Sequence, residues 1–109
     1  MYTCYFAKYR YNQLGNGISI ALSAPWEIET YPDLFPTWEI VNEYHQYRDK
    51  NHYIEVYHEE ILSHLDPQKV YDDLKDKILL CWEPRGKFCH RHLVADWLNK
   101  NLNTEIKEL

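Results

Sequence analysis

The chain has 109 residues, a net charge of −5 at neutral pH, 45% apolar residues and 16% aromatics. That is the size of one domain, residues 1–109, with enough apolar side chains for a core and too many aromatics for a disordered chain. The acidic balance argues against generic binding of nucleic acid or an anionic membrane, and no apolar run approaches the roughly 20 residues that span a bilayer.

Residues 1–7 alternate and are aromatic-rich, which predicts a first strand. Residues 8–17 are polar and end in Gly15-Asn16-Gly17, a turn signal. Residues 18–22 read as a second strand, stopped at Pro25. Residues 25–36 hold Pro25, Pro32 and Pro36 and read as loop. Thr37 is placed to cap a helix through Tyr47, with Trp38, Val41 and Tyr44 at helical spacing. Ile54, Tyr57, Ile61 and Leu65 form one stripe of a helix over residues 50–65. Asp66-Pro67 starts a third helix, with Asp as cap and Pro at the first helical position. Residues 77–81 are an apolar run of strand length, as expected of a buried central strand. Residues 83–88 form a loop, 89–102 a helix and 104–109 a last strand. This order predicts a small three-layer α/β domain with a mostly parallel sheet of about four strands and helices on both faces. In such sheets ligands bind beyond the carboxyl ends of the strands. The loops expected there are 8–17, 23–36 and 83–88.

The Tyr-rich opening, residues 2–11, lacks the apolar centre of a secretory leader. Three cysteines are an odd and small count. They suit a reducing cytoplasm, with thiols free for structure, metal or chemistry, better than a secreted disulfide framework.

Chemistry concentrates in residues 81–92, which read as strand end, short loop and helix start. Cys81 and Glu83 fall at the strand's carboxyl end, and Cys89 and His90 open the helix. A helix N-terminus presents free N–H groups and partial positive charge. A cysteine there has a lowered pKa. Arg85, Lys87 and Arg91 add three cations with no acid between 84 and 92, while the rest of the chain has nine Lys and Arg against seventeen Asp and Glu. A phosphate or carboxylate fits such a recess.

Each residue has a plainer alternative. Cys89 is a reactive thiol or a small residue at a tight helix start. Cys81 ends an apolar strand and fits packing as well as ligand contact. Glu83 is an acid/base group or a solvated loop carboxylate. His90 and His92, two apart on a helix, cannot both face one pocket. Arg91 is an anion clamp or one half of a salt bridge. Trp82 packs, or stacks on a base. Tyr5 can reach the site from the first strand, whereas Cys4 alternates with Tyr2 and Phe6 and reads as packed. A metal site of Cys81, Cys89, Glu83 and a histidine is opposed by two facts. The cysteine spacing is not that of a zinc ribbon, and three cations lie close by. The chain has no phosphate-binding glycine loop, nucleophile-elbow serine, paired-carboxylate signature or Cys-x5-Arg phosphatase loop.

Cys81-x-Glu83 followed by Cys89-His90-Arg91 resembles the hallmark of the domain of unknown function 488 family, a strand ending Cys-x-Glu and a helix opening Cys-His-Arg. Residues 1–7, 18–25 and 104–109 resemble that family's first, second and last strands. The resemblance implies the α/β fold and the place of the site rather than a reaction. Longer relatives carry Asp-x-Arg in the second strand and often His-Ile in the last. Here Ile20-Ala21-Leu22-Ser23 and Lys107-Glu108-Leu109 stand instead, which implies a reduced site or a different ligand.

These residues support a small cytoplasmic enzyme acting on a nucleotide-like or other anionic substrate. Cys89, Glu83 and His90 would be catalytic, and Arg91, Cys81, Trp82 and Tyr5 would bind substrate. No cofactor and no resident metal is expected. The alternative is a binding module that sequesters a small anionic ligand or contacts a partner protein. The aromatic loop around Trp26, Tyr31, Phe35 and Trp38 fits core, a lid or a homodimer contact.

Overall fold

The computed structural model describes all of residues 1–109. Four strands, β1 (Tyr2–Tyr5), β2 (Gly17–Ser19), β3 (Ile78–Cys81) and β4 (Lys107–Glu108), form one parallel sheet in the order β2-β3-β1-β4. The apolar run at 77–81 therefore becomes an interior strand, paired on both edges. Five helices join the strands: α1 (Phe6–Tyr11), α2 (Trp38–Tyr47), α3 (Lys50–Glu60), α4 (Pro67–Leu74) and α5 (His90–Leu102).

The chain crosses the sheet one way between β1 and β2, and the other way in both later connections. Right-handed crossovers then put α1 on one face and α2–α5 on the opposite one. The core divides accordingly. Leu79 and Ile18 pack with Ile40, Tyr57, Val70, Leu74, Val94 and Leu98 under the larger helical layer. The next residue along β3, Leu80, points to the other face, where Cys4 and Phe6 close a smaller cluster with Trp26 and Ile28 against it. This is the three-layer α/β arrangement read from the order of elements.

Thr37 and Asp66 cap their helices as expected, and Asp49, not singled out in the sequence, caps α3. Thr37 Oγ1 accepts from the Ile40 N–H at 3.1 Å. Asp49 and Asp66 accept from the N–H groups of His52 at 3.0 Å and Gln68 at 3.1 Å. Four boundaries differ from the sequence reading, the simplest being the last strand, read over 104–109 and found only at Lys107–Glu108. β1 gives way after Tyr5 to the short helix α1, because burying Phe6 against Trp26 and Trp82 turns the chain there. β2 ends at Ser19, where the chain also bridges the supposed loop: the Ser19 N–H donates to Glu29 O and the Tyr31 N–H to Ser19 O. The helix read over 50–65 stops at Glu60 and closes with a 3₁₀ turn, Leu62–His64. No helix is long and apolar enough to cross a membrane.

Candidate functional site

β3 ends at Cys81 and α5 begins at His90, with Cys89 in the N-cap position. The loop between them doubles back, so both ends of the 81–92 segment meet in space. The sulfurs of Cys81 and Cys89 are joined as a disulfide, and only Cys4 is a free, buried cysteine. This corrects the expectation of three free thiols: the loop that brings the two residues to one place also brings their sulfurs into bonding contact. Burial, followed by the charge of Glu108, raises the Cys4 thiol above its ordinary pKa, as befits a packed residue.

His90 is buried, and its Nε2 lies 2.6 Å from the carbonyl oxygen of Ile20. A carbonyl only accepts, so Nε2 carries the proton and Nδ1 keeps its lone pair. Nδ1 lies 3.9 Å from Cys89 Sγ. Burial pushes the imidazole down to about 4, so it is neutral at physiological pH. His92 is half-buried on the other side of the helix and does not reach the cleft described below.

Arg91 is 0% exposed. Its Nη1 donates to Cys81 Sγ at 3.2 Å, while Nε and Nη2 donate to the two carboxylate oxygens of Glu108 at 3.0 and 2.7 Å. Thr3 Oγ1 adds a 2.5 Å bond to Glu108 Oε1. Arg91 is thus half of a buried ion pair and not an unpaired anion clamp. The other two cations of the segment, Arg85 and Lys87, are exposed in the loop. The electropositive recess expected around Arg91 is therefore neutralised at its centre, and the segment's other positive charge lies out in the exposed loop.

A cleft of about 290 Å³ opens at the carboxyl ends of β2 and β3. Cys81, Cys89 and His90 line it together with Ala21, Trp82 and Glu83. The opposite wall is aromatic and comes from the helices, with Trp38 and Tyr44 on α2 and Tyr53 on α3, joined by Phe88 from the loop. Tyr44, Tyr53 and Phe88 pack on one another with ring centroids 5.0–5.6 Å apart. Trp82 is fixed by an indole N–H bond of 2.9 Å to Ser23 O, yet 49% of it stays exposed. Trp38 is 63% exposed, so two tryptophans present bare ring surface at this cleft. Glu83 is exposed and lines it as well.

Five of the seven residues singled out in the sequence share this cleft: Cys81, Trp82, Glu83, Cys89 and His90. Arg91 sits behind the sulfurs. Tyr5 pairs with Cys81 across the sheet but does not line the cleft. Of the wall from α2, the sequence reading placed only Trp38 near the site, as part of a core, lid or dimer segment, and missed Val41 and Tyr44. Its signal was the Trp38, Val41, Tyr44 stripe, which covers the cleft instead of closing only onto the core. It also missed Glu108.

Residues 3–102 match the family model DUF488-N3a, described as the active DUF488-N3 subclade. The chain belongs to the DUF488-N3a family. No curated protein and no solved structure matches it. In this DUF488-N3a member, Cys-x-Glu and Cys-His-Arg are two sides of one structural unit. The cysteines join strand end to helix start, His90 ties the helix to residue 20 beyond β2, and Arg91 ties it to β4.

Proposed function

We propose that this protein is a small cysteine-dependent enzyme of the reducing cytoplasm, acting on a nucleotide-like substrate with a flat ring and an anionic group. The observation that carries the reading is the floor of the cleft, where two sulfurs and a neutral imidazole meet under aromatic walls, with a buried guanidinium behind them. In the reduced protein Cys89 is the nucleophile. The free N–H groups of the α5 N-terminus favour its thiolate, and the neutral His90 presents its Nδ1 lone pair 3.9 Å from that sulfur as an acceptor that orients the thiol, whose proton leaves to solvent. Arg91 holds Cys81 as a second polarised sulfur through a charged N–H donor. Glu83, open to water at the wall, exchanges protons with solvent. Trp38, Trp82, Tyr44 and Phe88 suit a planar ring such as a nucleobase. Arg85 and Lys87, in the bordering loop, suit its phosphate.

Alkylation of the reduced protein by iodoacetamide, read by mass spectrometry of the three cysteine peptides, tests this reading. Cys89 should label fastest, and nucleoside monophosphates should slow it. Equal, slow labelling of all three cysteines refutes it. The bond between Cys81 and Cys89 favours a second reading, a pocket that binds such a ligand without turnover. A Cys89→Ser protein that keeps its nucleotide-dependent thermal stabilisation selects that reading.

A further inference from the structure

We infer that the reduced centre is a cation site: Cys81 Sγ, Cys89 Sγ and His90 Nδ1 together take one thiophilic divalent ion of the zinc class, with the fourth coordination position opening on the cleft. The three donor atoms lie within 4.8 Å of one another. Zinc bonds of about 2.3 Å to sulfur and 2.0–2.1 Å to nitrogen, set at tetrahedral angles, space a sulfur and a nitrogen about 3.6 Å apart. Cys89 Sγ and His90 Nδ1 are 3.9 Å apart, so the helix start is already close to ligand spacing.

Three features around the donors are those a metal centre needs. The first is the histidine tautomer. Ligating histidines give their second ring N–H to a carbonyl or carboxylate, which fixes the ring and frees the other nitrogen. Ile20 O does this for His90 at 2.6 Å. The second is charge. Two thiolates balance a divalent cation, and Arg91 is balanced by Glu108, so the filled centre is formally neutral despite the guanidinium beside it. Arg85 and Lys87 stay exposed in the loop and do not line the cleft. The third is dryness on one side only. Cys81, Cys89 and His90 are all buried, yet each also lines the cleft. Three protein ligands with one open position is the arrangement of catalytic rather than structural zinc.

The disulfide and the ion exclude each other. A dithiol or phosphine reductant supplies two electrons, the disulfide takes up two protons, and two thiols result. Binding the ion then releases both thiol protons to solvent. The inference goes beyond the thiol reaction proposed above: an ion on these sulfurs holds Cys89 unreactive until it is removed.

Cobalt(II) is the probe. The full chain, reduced with a phosphine without oxygen and freed of metal, should bind one equivalent. It should show thiolate-to-cobalt charge transfer and the intense visible bands of tetrahedral cobalt, and zinc should bleach both. Two protons should leave per ion. The oxidised chain should bind none. Cys4→Ser should bind as the parent does, and Cys89→Ser should lose affinity by about 100-fold or more. Absence of the bands in the reduced chain overturns the inference, as does equal binding by the oxidised chain. The comparison of oxidised and reduced protein decides the matter even if Cys89→Ser fails to fold. The titration contains no nucleotide, so its failure leaves the substrate reading standing.

Discussion

Glu108→Gln isolates the ion pair behind the sulfurs. The Arg91 side chain is 0% exposed and that of Glu108 12% exposed. The carboxylate receives two guanidinium bonds and one hydroxyl bond. Glutamine keeps one acceptor oxygen and loses the charge, so a buried cation is left without its counter-ion. Removing one partner of a buried pair costs about 3–5 kcal/mol. Glu108 keeps some contact with water, so the lower end, about 3 kcal/mol, is expected. In a domain of this size that lowers Tm by roughly 12–24 °C. The pH dependence gives a second readout. Burial raises the Glu108 carboxyl, but the bonds from Arg91 and Thr3 outweigh it and hold the group below its ordinary 4.5. The folded chain therefore binds fewer protons in acid than the unfolded one. The resulting stability is complete above about pH 4.5 and is lost as pH falls through the lower folded value. Glu108→Gln should remove that acid dependence. Urea unfolding of the parent, Glu108→Gln, Arg91→Met and the double variant, at neutral and acid pH, measures both effects. The double variant should recover much of the loss, because it buries no unpaired charge. A cost under about 1 kcal/mol at neutral pH, the value of an exposed pair, would refute the reasoning.

Two more outcomes follow from buried groups. Burial depresses His90 from 6.5 to about 4, so between those values the unfolded chain takes up a proton that the native chain refuses. In the metal-free protein this penalty on the native state is absent above about pH 6.5 and grows as pH drops toward 4, to about 3 kcal/mol at most. Imidazole NMR checks it, and a His90 that titrates near 6.5 in the folded state contradicts it. Tyr57 is fully buried and its hydroxyl donates to Leu34 O at 2.7 Å. Tyr57→Phe strands that carbonyl and should cost about 1–3 kcal/mol in urea unfolding; an unchanged midpoint contradicts it.

Elements whose causes are local were legible in the chain. Thr37 and Asp66 announce helices because a side-chain oxygen caps from the position just before them, and the run at 77–81 is apolar because β3 is covered on both faces. α1 was not legible. Its six residues carry no helix signal, and Phe6 turns the chain only because Trp26 and Trp82, 20 and 76 residues away, wait to cover it. The site divides in the same way. Residues 81–92 sit in one segment and could be read together. Glu108 lies 17 residues beyond Arg91, and only the fold joins them. Beyond Trp38, the α2 wall stayed hidden because an apolar stripe facing a cleft has the same spacing as one facing a core.

The pairing of Arg91 with Glu108 also bears on how separate copies of the chain stay apart. β4 contributes only two paired residues to the flank of β1, Lys107 opposite Tyr2 and Glu108 opposite Thr3. So short a strand is held largely by the Glu108 side chain and by the Leu109 N–H bond to Thr3 O. If it is unfastened, Tyr2–Tyr5 becomes a bare border with unpaired backbone groups, an invitation for another molecule to add a strand. Loss of the counter-ion should therefore surface first as self-association on storage, before any change at the sulfurs is noticed.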